Sequence, residues 1–145
     1  REEEIVVDDA SSALTDPERV PEFVEKTGVD ALAVAIGTAH GFYKSTPKLD
    51  FERLRRIAEL TSCPLVLHGG TGVSESDFQT CVSLGMSKIN VGTEFKAAYT
   101  NAIRDAVAVN ETAEVDPRNY MKYVKTKCEE IAEGKMRLFH SAGMA

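Results

Sequence analysis

Three short apolar runs punctuate the chain: ALAVAI (residues 31–36), LVL (residues 65–67) and KINV (residues 88–91). Between them, apolar residues recur every three or four positions, the spacing of an amphipathic helix. The first run is fully apolar, as expected for a parallel strand buried on both faces. Ahead of it, Thr15-Asp16-Pro17 offers a capping side chain and then a proline for the first helical turn. The segment ERVPEFVEKTG then carries Val20, Phe23 and Val24 at helical spacing, with Gly28 as its stop and Pro21 delaying the regular part. Residues 37–47 read as a loop. Asp50 caps the helix FERLRRIAEL, whose Phe51, Leu54, Ile57 and Ala58 share one face. After LVL, Ser74 and Asp77 open the helix SESDFQTCVSLG, stopped by Gly85. After KINV comes the long amphipathic helix TEFKAAYTNAIRDAVAV, then the connector VNETAEV. Asp116-Pro117 starts a last helix running toward Phe139, and HSAGMA reads as a frayed tail.

Strands alternating with helices across short loops imply parallel βα units. Three parallel strands neither close a barrel nor make a comfortable sheet alone, so a partner chain or an upstream segment is expected to supply the rest. The opening REEEIVVDD carries no initiating Met and leads abruptly into a strand-like run, which suggests sequence missing upstream.

Composition narrows the class. With 145 residues, 43% hydrophobic and 28% charged, the chain is long enough for one ordinary domain with a core and reads as globular. The net charge of -6 argues against a nucleic-acid or acidic-membrane surface. Cys63, Cys81 and Cys128 are odd in number and form no CxxC, which fits a reducing, cytoplasmic setting. No apolar run approaches the ~20 residues that span a bilayer, and the start does not read as a signal peptide.

Polar chemistry collects where the strands end: GTAHG (residues 37–41), HGGTG (residues 68–72) and NVGTE (residues 90–94). In parallel α/β folds these ends share one face, where ligands bind. His40 precedes Gly41, and His68 precedes Gly69 and Gly70. A histidine closing a strand aims its ring at the mouth of the site, and glycines let backbone N–H groups approach an anion. Two imidazoles from neighbouring strands can share a metal; zinc suits them, with a third protein ligand and one open position. The plain alternative is two unrelated histidines, one satisfying a backbone carbonyl. Two in the same setting, each before glycine, favour the metal. Thr93 reads equally as a helix N-cap or as a phosphate ligand, with Asn90 reaching a substrate hydroxyl or carbonyl; Thr71 and Ser74 share the ambiguity. His140 reads as a solvated tail residue, and Lys44 as an exposed loop cation able to swing over an anion.

GTAHGFYKSTPKLDFERL, PLVLHGGTG and KINVGTEFK together resemble the C-terminal half of a class II ketose-bisphosphate aldolase, the zinc-dependent fructose- and tagatose-bisphosphate aldolases. The similarity extends to TDP…EFVEKTGVD and the closing GKMRLF, essentially the whole chain. The resemblance implies an α/β fold, a (β/α)8 TIM barrel, of which this chain is about strands six to eight: a mobile loop at 1–10, barrel βα units over 11–109 and a C-terminal helix at 116–139. His40 and His68 match two of the family's three zinc histidines. Gly41, Gly69, Gly70, Thr71, Asn90, Val91, Gly92 and Thr93 match its dihydroxyacetone-phosphate site. Lys96 matches a basic position that meets the second phosphate, and Glu2 a mobile-loop carboxylate proposed to move protons. The family's third zinc histidine and catalytic aspartate lie in an upstream HxDH-type motif that this sequence does not contain.

The implied reaction is reversible aldol cleavage of a ketose 1,6-bisphosphate, fructose or tagatose, to dihydroxyacetone phosphate and glyceraldehyde 3-phosphate. Breaking C3–C4 leaves an enediolate on the triose-phosphate half, and zinc serves as Lewis acid at the C2 oxygen. A monovalent cation is a further cofactor to consider. Gly92 stands where fructose-specific members often carry Asp or Asn, a tilt toward tagatose bisphosphate or relaxed specificity. The resemblance also implies a homo-oligomer, dimer or tetramer, and no nucleic-acid or membrane partner. With two metal ligands and no complete acid/base pair, the chain alone is expected to be inactive. The alternative is a non-catalytic phosphate-binding fragment, or a subunit that needs a partner chain.

Overall fold

The computed structural model describes residues 14–38, 47–109 and 116–144. The chain divides into two compact units, Arg1–Asn90 and Val91–Ala145. The first unit holds a parallel three-stranded sheet in the order β1-β2-β3, with β1 at Leu32–Ala33, β2 at Leu65–Leu67 and β3 at Met86–Ile89. Helices α1 (Val20–Thr27), α2 (Phe51–Leu60) and α3 (Glu75–Ser83) alternate with the strands. The second unit is a pair of packed helices, α4 (Thr93–Val109) and α5 (Pro117–Leu138).

Local chemistry sets most of the helix ends. Asp16 caps a short 3-10 turn, Pro17–Arg19, by accepting from the Glu18 N–H; Pro21 then falls in the first turn of α1. Pro21 thus delays the regular helix as expected, since it lacks the N–H that an interior position needs. Gly28 ends α1 in the left-handed region at φ 63°. Asp50 caps α2 through the Arg53 N–H at 2.9 Å, and Ser74 caps α3 through the Asp77 N–H at 3.1 Å.

The sheet departs from the sequence reading in two places. The apolar run 31–36 pairs as a strand only over Leu32–Ala33. Its backbone stays bonded, with the Val34 N–H on Val66 O at 3.2 Å, and among the described residues its outer side is met by Thr15 rather than by a strand. Thr15 donates its N–H to Ala35 O at 2.9 Å and accepts the Ala35 N–H on its hydroxyl at 2.8 Å. The third strand runs over residues 86–89, two residues earlier than the KINV run. Gly85 turns the chain at φ 99°, so Met86 already meets Leu65. A register shift between Leu65 and Val66 then sets Lys88 opposite Val66 and Ile89 opposite Leu67.

The core of the first unit gathers Ile36, Leu54, Ile57, Leu67, Phe78 and Cys81, all fully buried side chains. Burying each large apolar side chain contributes about 1.5–3 kcal/mol before entropy is counted. Leu54 and Ile57 come from the face of α2 that the periodicity marked. Phe23 does not join this core: it stays 49% exposed, while Val20 on the same helix is buried. A groove of about 580 Å³ runs beside β1, lined among others by Leu14, Val20, Phe23, Leu32 and Ala33. In the second unit Ala102, Ala106 and Val124 form the core, with Ile103, Tyr120, Met121 and Cys128 packed around it.

Candidate functional site

Because β1, β2 and β3 are parallel, the segments after them leave one edge of the sheet. After β1, Gly37 turns at φ 109° with the Lys48 carbonyl oxygen against it; a Cβ there would lie 2.5 Å from that oxygen. His40 and Gly41 follow in sequence and lie outside the described residues, as does Glu2.

His68 is the residue after β2, and its ring is exposed. Asn90 is the residue after β3; its N–H extends the ladder by donating to Leu67 O at 2.9 Å. Thus one parallel pair, with Val66 opposite Lys88, brings the two side chains together. The Asn90 Nδ2 lies 3.2 Å from His68 Nε2 and 3.3 Å from Nδ1. Lys88, two residues before Asn90 on the same face of the strand, donates its Nζ to Asn90 Oδ1 at 2.5 Å. The sequence reading missed Lys88, although spacing of two along a strand was the available signal.

The loop after His68 bends sharply. Gly69 takes φ 69° and Gly72 φ 83°, where a Cβ is strained. Gly70 is buried for another reason: a Cβ on it would meet Phe78 Cζ at 3.1 Å and the Asn90 carbonyl oxygen at 3.3 Å. Thr71 is buried as well, at 6% exposed. The loop therefore lies close against Phe78 of α3 and the Asn90 carbonyl at the end of β3.

In the second unit, α4 begins at Thr93, and the Lys96 N–H bonds the Gly92 carbonyl at 3.0 Å. Gly92 therefore holds the N-cap position, and Thr93 is the first helical residue rather than the cap. Val91 precedes this turn. A helix start points its first N–H groups outward and favours an anion. Lys96 lies exposed one turn in. Glu94 puts a carboxylate in that first turn, and Lys135 from α5 pairs with it at 2.9 Å. This pairing of residues far apart in sequence had no periodic signal.

Among the described residues, no three His, Cys, Asp or Glu side chains cluster as a metal site. His68 alone of the expected ligands is described; an exposed imidazole at a strand end has the donor chemistry that zinc takes. Cys81 offers no nucleophile: burial first, and then the Asp77 carboxylate, push its thiol up to about 11. No described helix is long and apolar enough to cross a membrane.

Comparison with solved structures sets this arrangement among known proteins. The YdjI aldolase from Escherichia coli K12 is 42% identical, with a TM-score of 0.82 over 91% of this chain and 48% of its own. A Coccidioides immitis protein, provisionally designated a fructose-1,6-bisphosphate aldolase, is 31% identical, with a TM-score of 0.77 over 90% of this chain and 45% of its own. The fructose-bisphosphate aldolase (Fba) from Campylobacter jejuni shares the fold at 21% identity, with a TM-score of 0.77 over 93% of this chain and 49% of its own. The chain thus spans about half the length of the structures it matches. Its residues 1–144 match the family described as fructose-bisphosphate aldolase class-II, and the chain belongs to that family.

Proposed function

We propose that this chain is the C-terminal part, about strands six to eight, of a zinc-dependent (β/α)8 aldolase that reversibly cleaves a ketose 1,6-bisphosphate. The observation that carries the reading is the meeting of His68 and Asn90 at the ends of adjacent parallel strands, 3.2 Å apart. Family membership gives that pair its chemical meaning. The groove beside β1, with Phe23 half exposed, fits a surface against which a further βα unit packs.

In this reading His68, with His40, holds the zinc, and a third histidine and the acid/base aspartate come from polypeptide beyond these 145 residues. Bound zinc supplies a Lewis acid at the substrate C2 oxygen. Gly41, Gly69, Gly70 and Thr71, with Val91, Gly92 and Thr93, hold the C1 phosphate through backbone N–H groups and hydroxyls, which fixes the reacting carbons in place. Asn90 donates its amide N–H to a substrate oxygen. Lys96 meets the second phosphate, and Glu2 assists proton transfer. The products are dihydroxyacetone phosphate and glyceraldehyde 3-phosphate. Gly92 has open space around it, with no atom within 4 Å of the place a Cβ would take; lacking a side chain, it leaves the choice between fructose and tagatose bisphosphate relaxed. The setting proposed is cytoplasmic, in a homo-oligomer.

The test is made on the whole enzyme containing this sequence. Zinc content and kcat/KM are measured for fructose 1,6-bisphosphate and tagatose 1,6-bisphosphate. His68→Ala is expected to lose zinc and activity together. Unchanged zinc in that variant, or a zinc-loaded wild type that turns over neither sugar, overturns the reading.

A further inference from the structure

An asparagine side chain presents a donor and an acceptor that differ only by a half-turn of the amide. At residue 90 the half-turn is decided by a neighbour. Lys88 has three donors and no acceptor, and its Nζ meets Asn90 Oδ1 at 2.5 Å. Turning the amide over would set Nδ2 against the ammonium, donor facing donor. Oδ1 therefore stays with Lys88, and Nδ2 stays with the His68 ring, at 3.2 and 3.3 Å from its two nitrogens.

We propose that Lys88 is a positioning residue: it locks the Asn90 amide so that an N–H, not a carbonyl oxygen, faces the strand-end site beside His68. The inference rests on the proposed aldolase reading for its consequence. A substrate oxygen that gains negative charge as C3–C4 breaks is stabilised by a donor and repelled by an acceptor. Lys88 itself does not touch the substrate; its effect passes through Asn90. The strand makes this coupling rigid, because residues two apart point the same way and the backbone of Asn90 is tied to Leu67 O at 2.9 Å. Lys88 is exposed, so its replacement removes a hydrogen bond without opening the core.

Two measurements test this. In the 15N-labelled protein, the Asn90 side-chain NH2 is expected to show an NOE to the His68 ring. Lys88→Met should lose that NOE and shift the NH2 signals, while Lys88→Arg should keep both. In the whole zinc-loaded enzyme, Lys88→Met should lower kcat/KM by about tenfold or more, mainly through kcat. Zinc content and Tm should stay unchanged, and Lys88→Arg should recover most of the rate. An unaltered Asn90–His68 NOE in Lys88→Met overturns the positioning role, as does an unaltered kcat. A wild type without aldolase activity counts against the proposed function instead, and the NOE then judges Lys88 alone.

Discussion

Gly70 is the residue on which the strand-end loop closes. The Phe78 ring and the Asn90 carbonyl fill the space where a side chain would start. Gly69 and Gly72 answer a different demand, positive φ, so the three glycines of HGGTG do not do one job. Gly70→Ala forces the Phe78 ring or the end of β3 to give way by a few tenths of an ångström. We expect a loss of about 1–3 kcal/mol in urea unfolding, the usual cost of overpacking. Gly92→Ala, where no atom lies within 4 Å, should cost less, about 0.5–1 kcal/mol, because only the N-cap preference for glycine over alanine is lost. Equal losses at the two sites would show that the loop does not depend on the close approach at Gly70.

At the scale of elements, the caps hold the βα units in phase. Asp50 bonds the Arg53 N–H at 2.9 Å and the Arg53 Nε at 3.0 Å, and Arg53 Nη1 reaches Thr15 O at 2.7 Å. One capping carboxylate thus links the start of α2 to the segment ahead of α1. The Arg53 N–H lowers the Asp50 pKa first; burial opposes this, and the guanidinium adds to the lowering. Because the folded pKa lies below the unfolded one, the contribution is full above the unfolded carboxylate range. It is lost as pH falls through the folded value, from about pH 4 downward. Asp50→Ala should cost about 1 kcal/mol at pH 7. The gap to wild type should shrink in urea titrations toward pH 2. A gap independent of pH would mean that the cap is not acting through the ionised carboxylate.

At the scale of the whole molecule, the proposed reading gives this chain part of a zinc ligand set, and binding reports on how that set is completed. A ligand that binds the folded state alone stabilises it by RT ln(1 + [L]/Kd), about 2.7 kcal/mol at a hundredfold excess over Kd. In the whole enzyme, zinc should raise Tm and a chelator should reverse the rise. His68→Ala should remove the zinc response while leaving the metal-free Tm close to wild type, since the imidazole is exposed. A zinc response that survives the substitution would move the metal away from this strand end.

The elements were legible because their information is local. Apolar spacing marked α2, proline and glycine set the ends of α1, and Asp50 and Ser74 announced the helices that they cap. The family was legible from three strand-end motifs, and His68 and Asn90 from their places in those motifs. Pairing decided the rest. β3 begins at Met86 because Leu65 lies opposite it, and Phe23 stays exposed because the described fold sets no core against that side of α1. Gly92 takes the cap because its carbonyl receives the first helical bond, from the Lys96 N–H. The contact of Lys88, Asn90 and His68 depends on the register of two strands whose partners are 22 residues apart in the chain. Side-chain periodicity encodes which face a residue occupies; only the packed sheet decides which neighbour shares it.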